Sequence, residues 1–126
     1  MELDKFIIDS NVFVAFYYNG DNDHERALKI MADLDPRTLI IHPYVILETA
    51  SVLTYKLGHA VAKEFLASIF VWNVYIPPVN IQGDIEYFQN LGKKISFTDA
   101  TLINLAKNMN APLVTFDRQM ISLLKH

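Results

Sequence analysis

Four acidic residues stand out because each one ends or interrupts an otherwise apolar segment of the chain. They are Asp9, Glu48, Asp99 and Asp117. Asp9 and Asp117 each follow a short apolar run, as a residue at the carboxyl end of a buried parallel strand does. Glu48 and Asp99 lie in apolar helical patterns, where a lone carboxylate is costly unless it is paired, hydrogen-bonded or bound to a metal. Clustered carboxylates repel one another and suit Mg²⁺ or Mn²⁺, so the four acids predict a divalent metal site.

Each of these acids also has a structural explanation that the sequence leaves open. Asp9 and Asp117 precede predicted helices, so either one is a candidate helix N-cap. Glu48 is a candidate surface residue, or a partner for Lys56 two turns later on the same helix. Asp99 lies at the start of a helix, where the helix dipole favours a negative charge. One shared site accounts for all four positions together, which favours the metal-ligand interpretation.

Several nearby residues are candidates for supporting roles. Asn11 closely follows Asp9. Thr115 shares a strand face with Asp117 and is placed to position a water or a carboxylate, although a β-branched residue is also ordinary in a strand. The basic candidates for holding substrate phosphates are Lys93, Lys94 and Arg118. The alternative for these three is that they are solvated surface charges.

Short apolar strands alternate with amphipathic helices along the whole chain. Strands are predicted at 5–9, 38–41, 73–76 and 112–116. Helices are predicted at 11–18, 23–34, 43–57, 59–70, 81–91, 96–109 and 118–124. This alternation is typical of a parallel sheet covered by helices, with ligands collecting at the carboxyl ends of the strands. The predicted fold class is therefore α/β, a three-layer α/β/α sandwich around a central, mainly parallel sheet of four to five strands.

The composition limits the function classes. A chain of 126 residues is one domain able to bury a core, and the lack of cysteine excludes disulfides and thiolate metal sites. The N-terminal apolar stretch stops at Asp9, which argues against a signal peptide. The longest charge-free run, 65–83, is broken by Pro77 and Pro78, which argues against a membrane span. These features favour a cytoplasmic protein with no membrane partner.

The net charge of −3 at first argues against a nucleic-acid partner, because phosphate binding favours a basic surface. Removing the four candidate ligands from the 14 acidic residues leaves 10, against 11 Lys and Arg, a remainder of +1. Bound cations would neutralise the site itself. The charge balance therefore neither supports nor excludes an RNA substrate.

Four short motifs, in this order, resemble those of the PIN domain family of metal-dependent ribonucleases. The likeness is to its small, VapC-like toxins from bacterial and archaeal toxin–antitoxin pairs. The motifs are Asp9-Ser10-Asn11-Val12-Phe13-Val14, the segment 45–53 around Glu48, Asp99-Ala100-Thr101-Leu102-Ile103 and Val114-Thr115-Phe116-Asp117. The resemblance extends over essentially the whole chain. It departs at Gln119, where some relatives have a further acidic residue, so four acids remain for metal binding.

The resemblance implies that residues 1–126 form a single PIN-like nuclease domain. Such a domain uses Mg²⁺ or Mn²⁺ to hydrolyse RNA phosphodiester bonds, leaving 5′-phosphate and 3′-hydroxyl ends. Asp9, Glu48 and Asp99 would be the core catalytic metal ligands, and Asp117 would act directly or through water. Toxins of this family form homodimers and bind a small antitoxin protein. The aromatic segments 13–18 and 70–72 are the candidates for those surfaces, with core packing as the alternative.

Two other function classes stay open. A non-catalytic PIN-like module would bind RNA or protein, but it would have no reason to keep four clustered acids. A different Mg²⁺-dependent phosphohydrolase, such as an aspartyl-phosphate phosphatase, would have a second acid two residues after Asp9, where this chain has Asn11. A receiver domain would have adjacent acids near its first strand, and these are absent. The histidines, at 24, 42, 59 and 126, contain no i, i+4 pair typical of zinc sites.

Overall fold

The computed structural model describes residues 4–125, in which four strands and seven helices alternate. The elements are β1 (Lys5–Ile8), α1 (Ser10–Tyr17), α2 (His24–Leu34), β2 (Thr38–Ile40), α3 (Pro43–Leu57), α4 (His59–Ser68), β3 (Val74–Tyr75), α5 (Ile81–Asn90), α6 (Phe97–Met109), β4 (Leu113–Val114) and α7 (Arg118–Leu124). Every predicted strand and helix is present, with ends that differ by a few residues. Within the described chain, no helix is both long enough and apolar enough to cross a membrane.

The strands form one parallel sheet in the order β3-β2-β1-β4. From β1 the chain adds β2 and then β3 on one side of the sheet. It then crosses back over β2 and β1 and adds β4 at the opposite edge. Because parallel crossovers are right-handed, this reversal places α1 to α4 on one face and α5 and α6 on the other. The packing agrees, since α1 contacts α2 and α3, whereas α6 contacts α5 and α7. The predicted α/β/α sandwich is confirmed, with four strands.

The core lies between the sheet and both of its helix layers, because residues of α6 and α7 are buried in it together with residues of α1 to α4. Ile7 and Ile8 of the central strand are fully buried, as expected for a parallel strand covered on both faces. The ring of Phe13 packs against Phe65, with centroids 5.2 Å apart, and stacks on Trp72 at 5.8 Å. Part of the aromatic set in α1 therefore belongs to the core.

The register of β1 against β4 builds one end of the sheet. Ile8 lies opposite Val114, and the amide of Asp9 donates to the carbonyl of Val114 at 3.0 Å. Both strands end here, because helices begin at Ser10 and Arg118. The residues that follow the two strands are therefore neighbours at the carboxyl ends of the strands, where parallel α/β sheets bind their ligands. This end of the sheet is called the carboxyl edge below.

Candidate active site

Asp9 lies at the junction of β1 and α1, with only 3% of its surface exposed. It is the N-cap of α1, and its Oδ1 accepts a hydrogen bond from the amide of Ser10 at 2.7 Å. Its Oδ2 accepts hydrogen bonds from the hydroxyl of Thr115 at 2.8 Å and from the side-chain Nδ2 of Asn11 at 3.4 Å. The capping explanation is thus correct for Asp9, and the same carboxylate also joins a wider polar cluster.

The hydroxyl of Thr115 holds this cluster together. It donates to Asp9, and it accepts from Nδ2 of Asn11 and from the backbone amide of Asp117, both at 3.1 Å. One proton and two lone pairs are all that a hydroxyl has, so its hydrogen-bonding capacity is filled. Oδ1 of Asn11 accepts from the amide of Phe116 at 3.2 Å. Asn11 and Thr115 therefore position Asp9 relative to the segment that carries Asp117.

Replacing Thr115 with valine is expected to lower the free energy of unfolding by about 1–3 kcal/mol, because the buried partners of the hydroxyl would lose their hydrogen bonds. Valine is nearly the same size, so the loss would not come from packing. Urea denaturation of Thr115→Val beside Thr115→Ser, which keeps the hydroxyl, measures the difference. Equal stability of Thr115→Val and the wild type would show that the hydroxyl is not needed to hold the cluster.

Glu48 reaches the site from α3, which packs against α1. Its carboxylate accepts a short hydrogen bond from the hydroxyl of Ser10, a buried residue in the first turn of α1. Glu48 is largely exposed at the rim of the site. Lys56, considered as its partner, instead places its ammonium 5.3 Å from the ring of Tyr18. Sequence reasoning missed Ser10 because serine after aspartate at a helix start is explained equally well by capping.

Asp99, on α6, and Asp117, between β4 and α7, are the other two acids of the group. Asp99 is half-buried in the first turn of α6, where its amide donates to the hydroxyl of Ser96 at 3.1 Å. Asp117 caps α7, and its Oδ1 accepts from the amides of Gln119 at 2.9 Å and Met120 at 3.2 Å. The local explanations are therefore correct for these two acids as well. These local roles explain where the backbone of each acid lies, and the carboxylate of each acid still contributes its charge to the site.

Burial and the charges of neighbouring acids raise the pKa of Asp9 and of Asp99. Burial is the main cause that raises the pKa of Asp9 to about 6, and the negative charges of Asp99 and Glu48 add to it. The pKa of Asp99 is also raised, first by burial and then by the charges of Asp117 and Glu48. The ionised forms of Asp9 and Asp99 are therefore disfavoured in the absence of a cation.

None of the four acids forms an ion pair within residues 4–125, where the one ion pair joins Arg26 to Asp23 at 3.6 Å. In the same residues, no three acidic or histidine side chains already enclose a metal position. Glu48 turns toward Ser10, and Asp117 turns toward the amides of α7. Hard carboxylate oxygens with uncompensated charge are the donor set that Mg²⁺ and Mn²⁺ prefer, so the chemistry of the cluster fits such an ion.

Comparison with known proteins decides the family. Residues 6–124 match the sequence profile of the PIN domain. The chain belongs to the PIN domain family. Its fold is also that of Mycobacterium tuberculosis VapC20, described as a sarcin–ricin loop cleaving toxin, whose crystal structure aligns with a TM-score of 0.82. The alignment has 20% sequence identity and covers 94% of each chain. No significant sequence match was found among curated proteins.

The family resemblance predicted from four motifs is thus confirmed. Gln119, which departs from the family pattern, donates its side-chain amide to the carbonyl of Lys94 at 2.9 Å. This contact ties the basic loop 92–94 to the start of α7 in this PIN domain. A neutral amide suits that bond, since a carboxylate cannot donate to a carbonyl.

The basic candidates are only partly brought to the acids. Arg118 is exposed and directly follows Asp117, and Lys94 lies on the loop that Gln119 tethers beside α7. Lys93 instead lines a cavity between α5, α6 and α7 that contains none of the four acids.

The described histidines of the PIN domain have local roles. Nδ1 of buried His42 accepts from the amide of Tyr44 at 3.0 Å, and Nδ1 of His24 lies 2.7 Å from the carbonyl of Ala15. His59 is exposed at the start of α4. His126 lies outside the described residues.

Proposed function

We propose that this PIN domain is a metal-dependent endoribonuclease and the toxin of a toxin–antitoxin pair. It hydrolyses RNA phosphodiester bonds and leaves 5′-phosphate and 3′-hydroxyl ends. One observation carries the proposal: acids from four separate segments of the chain lie near one another at the carboxyl edge of the sheet, and none of them forms an ion pair in residues 4–125. The family and the fold shared with a sarcin–ricin loop cleaving toxin support the same activity.

Asp9, Glu48 and Asp99 are the residues that would hold Mg²⁺ or Mn²⁺, with Asp117 acting directly or through water. Such an ion supplies positive charge at the scissile phosphate and at the leaving oxygen. The chain's own part is to set the ligands in place: Thr115 holds Asp9, and Ser10 holds Glu48. Since a carboxylate must be ionised to bind a cation, the raised pKa of Asp9 makes metal binding weaker in acid.

The partners in this proposal are RNA, a second copy of the chain and a small antitoxin protein. Large apolar side chains that are exposed to solvent support the proposal of protein partners, since exposed apolar patches mark interaction sites. Tyr55 is 94% exposed, Phe70 is 90% exposed and Val71 is 82% exposed. The proposed location is the cytoplasm, in keeping with a chain that has no cysteine.

The test is RNA cleavage by purified protein with Mg²⁺, with Mn²⁺ and with EDTA, beside Asp99→Asn prepared in the same way. We expect cutting that needs either metal and that the variant lacks, with 5′-phosphates at the new ends. The RNAs offered in this assay are tRNA, rRNA and mRNA. Binding of RNA without any cutting by folded, metal-loaded protein would reject the nuclease and favour a non-catalytic binding module.

A further inference from the structure

An open groove runs beside Glu48, between α3 and the starts of α5 and α6. It has a volume of about 450 Å³. Its other lining residues are Tyr44, Leu47, Ser51, Ile81, Phe97 and Thr98. Glu48 is the one charged residue in this lining, so the groove is an apolar extension of the acidic site.

Three aromatic rings beside the groove form a row that the hydrophobic core does not explain. The rings of Tyr44 and Phe97 have centroids 5.9 Å apart, and Phe88 lies 5.6 Å beyond Phe97. In the described chain, none of the three belongs to the core or to the side chains packed against it. Tyr44 and Phe97 keep part of their surfaces exposed. They therefore offer aromatic surface to a ligand rather than to the interior.

The ring of Tyr44 is fixed before any ligand binds. Its hydroxyl donates a hydrogen bond to Oδ2 of the buried Asp84 at 2.8 Å. Its ring packs against the imidazole of His42, with the two ring centroids 4.3 Å apart. Burial, helped by the hydrogen bond to Asp84 and its charge, raises the pKa of Tyr44 to about 12, so the hydroxyl stays a donor. A ligand that stacks on this ring would not have to immobilise it first.

The row is continuous with the proposed metal ligands. Tyr44 and Glu48 are four residues apart on α3, which places them on one helix face, and both line the groove together with Phe97. A group that stacks on the two rings would lie next to a phosphate held at the acids. With only one charge in its lining, the groove suits a flat, uncharged group better than it suits a second phosphate.

We propose that Tyr44 and Phe97 form a stacking platform for an unpaired RNA base next to the scissile phosphate. The inference rests on the proposed function and assigns the two rings to the binding of one base of the substrate. Bases in an A-form duplex are stacked on their neighbours and cannot lie on a protein ring, whereas unpaired bases stack readily on aromatic side chains.

The test is a binding titration that does not depend on cleavage. The probe is a short single-stranded oligoribonucleotide with one 2-aminopurine, whose fluorescence falls when the base stacks. It is mixed with the full chain carrying Asp99→Asn, in Mg²⁺, so that it stays intact. In this background, Phe97→Leu is expected to weaken binding on the order of 10-fold to 100-fold and to remove the quenching.

Matched variants separate stacking from a loss of folding. Phe6→Leu makes the same change at a half-buried phenylalanine of β1 that does not line the groove, so it should leave affinity and quenching unchanged. Phe97→Tyr keeps an aromatic face and should retain binding. The same probe paired in a duplex should bind more weakly and should not distinguish Phe97→Leu from its parent.

Three results would overturn the platform: no binding of the single-stranded probe, equal binding by Phe97→Leu and its parent, or equal losses for Phe97→Leu and Phe6→Leu. The second of these is what a groove reserved for a protein partner would give. If the wild type cuts RNA but Phe97→Leu binds normally, the nuclease stands and the platform falls. If the probe stacks on Phe97 but the wild type cuts nothing, the platform stands and the nuclease falls.

Discussion

Replacing Asp9 with asparagine is expected to reduce metal-dependent RNA cleavage by about 10³-fold. Asp9 is the most buried of the four acids, and a metal ion is worth several kcal/mol of transition-state charge stabilisation. Asparagine keeps the size of the side chain but removes the negative charge that would attract the ion. Initial rates of RNA cleavage at saturating Mg²⁺ measure the loss.

The hydrogen bonds around Asp9 leave the asparagine little choice of orientation. Thr115 already accepts two hydrogen bonds and must donate to residue 9, so the amide oxygen would have to face it. The new amide nitrogen would then face the amide of Ser10, and one hydrogen bond would be lost. Asp33→Asn, at an exposed position on α2, is the matched control and should retain full activity. Full activity of Asp9→Asn would remove Asp9 from the catalytic site.

In EDTA, the wild type is expected to lose about 3 kcal/mol of unfolding free energy relative to Asp9→Asn as the pH rises from 4 to 7. The pKa of Asp9 is about 6 in the folded protein, above its ordinary value of 3.8. Each pH unit between the two pKa values is worth about 1.4 kcal/mol. Below 3.8 both states hold the proton, so burial costs nothing there. Above that value the unfolded chain ionises more readily, and stability falls until the folded carboxylate has also ionised near pH 6.

Urea denaturation of both proteins at several pH values, with EDTA and then with Mg²⁺, measures this effect. The asparagine variant lacks the titrating group, so the difference between the two curves isolates Asp9. Metal added at pH 7 should restore stability to the wild type and have less effect on the variant, because a bound cation stabilises only the folded state. Parallel curves in EDTA would show that the ionised carboxylate of Asp9 is not disfavoured by its surroundings.

Much of the fold could be predicted because its signals are local. Apolar runs such as Phe6-Ile7-Ile8, and turn residues such as Gly58, are read from a few neighbouring positions. The convergence of Asp9 and Asp117 could also be predicted, since strand ends of a parallel sheet share one edge. For Asp9, Asp99 and Asp117, the capping or first-turn role raised from the sequence is compatible with a shared site, because such an acid still carries its charge at the carboxyl edge of the sheet.

The partners of those acids could not be predicted, because they are distant in the chain. Ser10 and Glu48 are 38 positions apart, and Asp9 and Thr115 are 106 positions apart. No local pattern specifies such pairs, since they depend on how α1 packs against α3 and on the register of β1 with β4. The aromatic row was missed for the same reason, because Tyr44 and Phe97 come from helices that meet only in the folded protein.

The sequence by itself therefore determined the order of strands and helices, because short-range periodicity carries that information, and its four ordered motifs indicated the family and the four candidate acids. Only the tertiary structure decided that Ser10 holds Glu48, that Thr115 holds Asp9, and that an aromatic groove opens beside them. The physical reason is that hydrogen bonds and ring contacts act over a few ångströms. Their partners are set by the packing of whole helices and by strand register, which no single segment of the chain encodes.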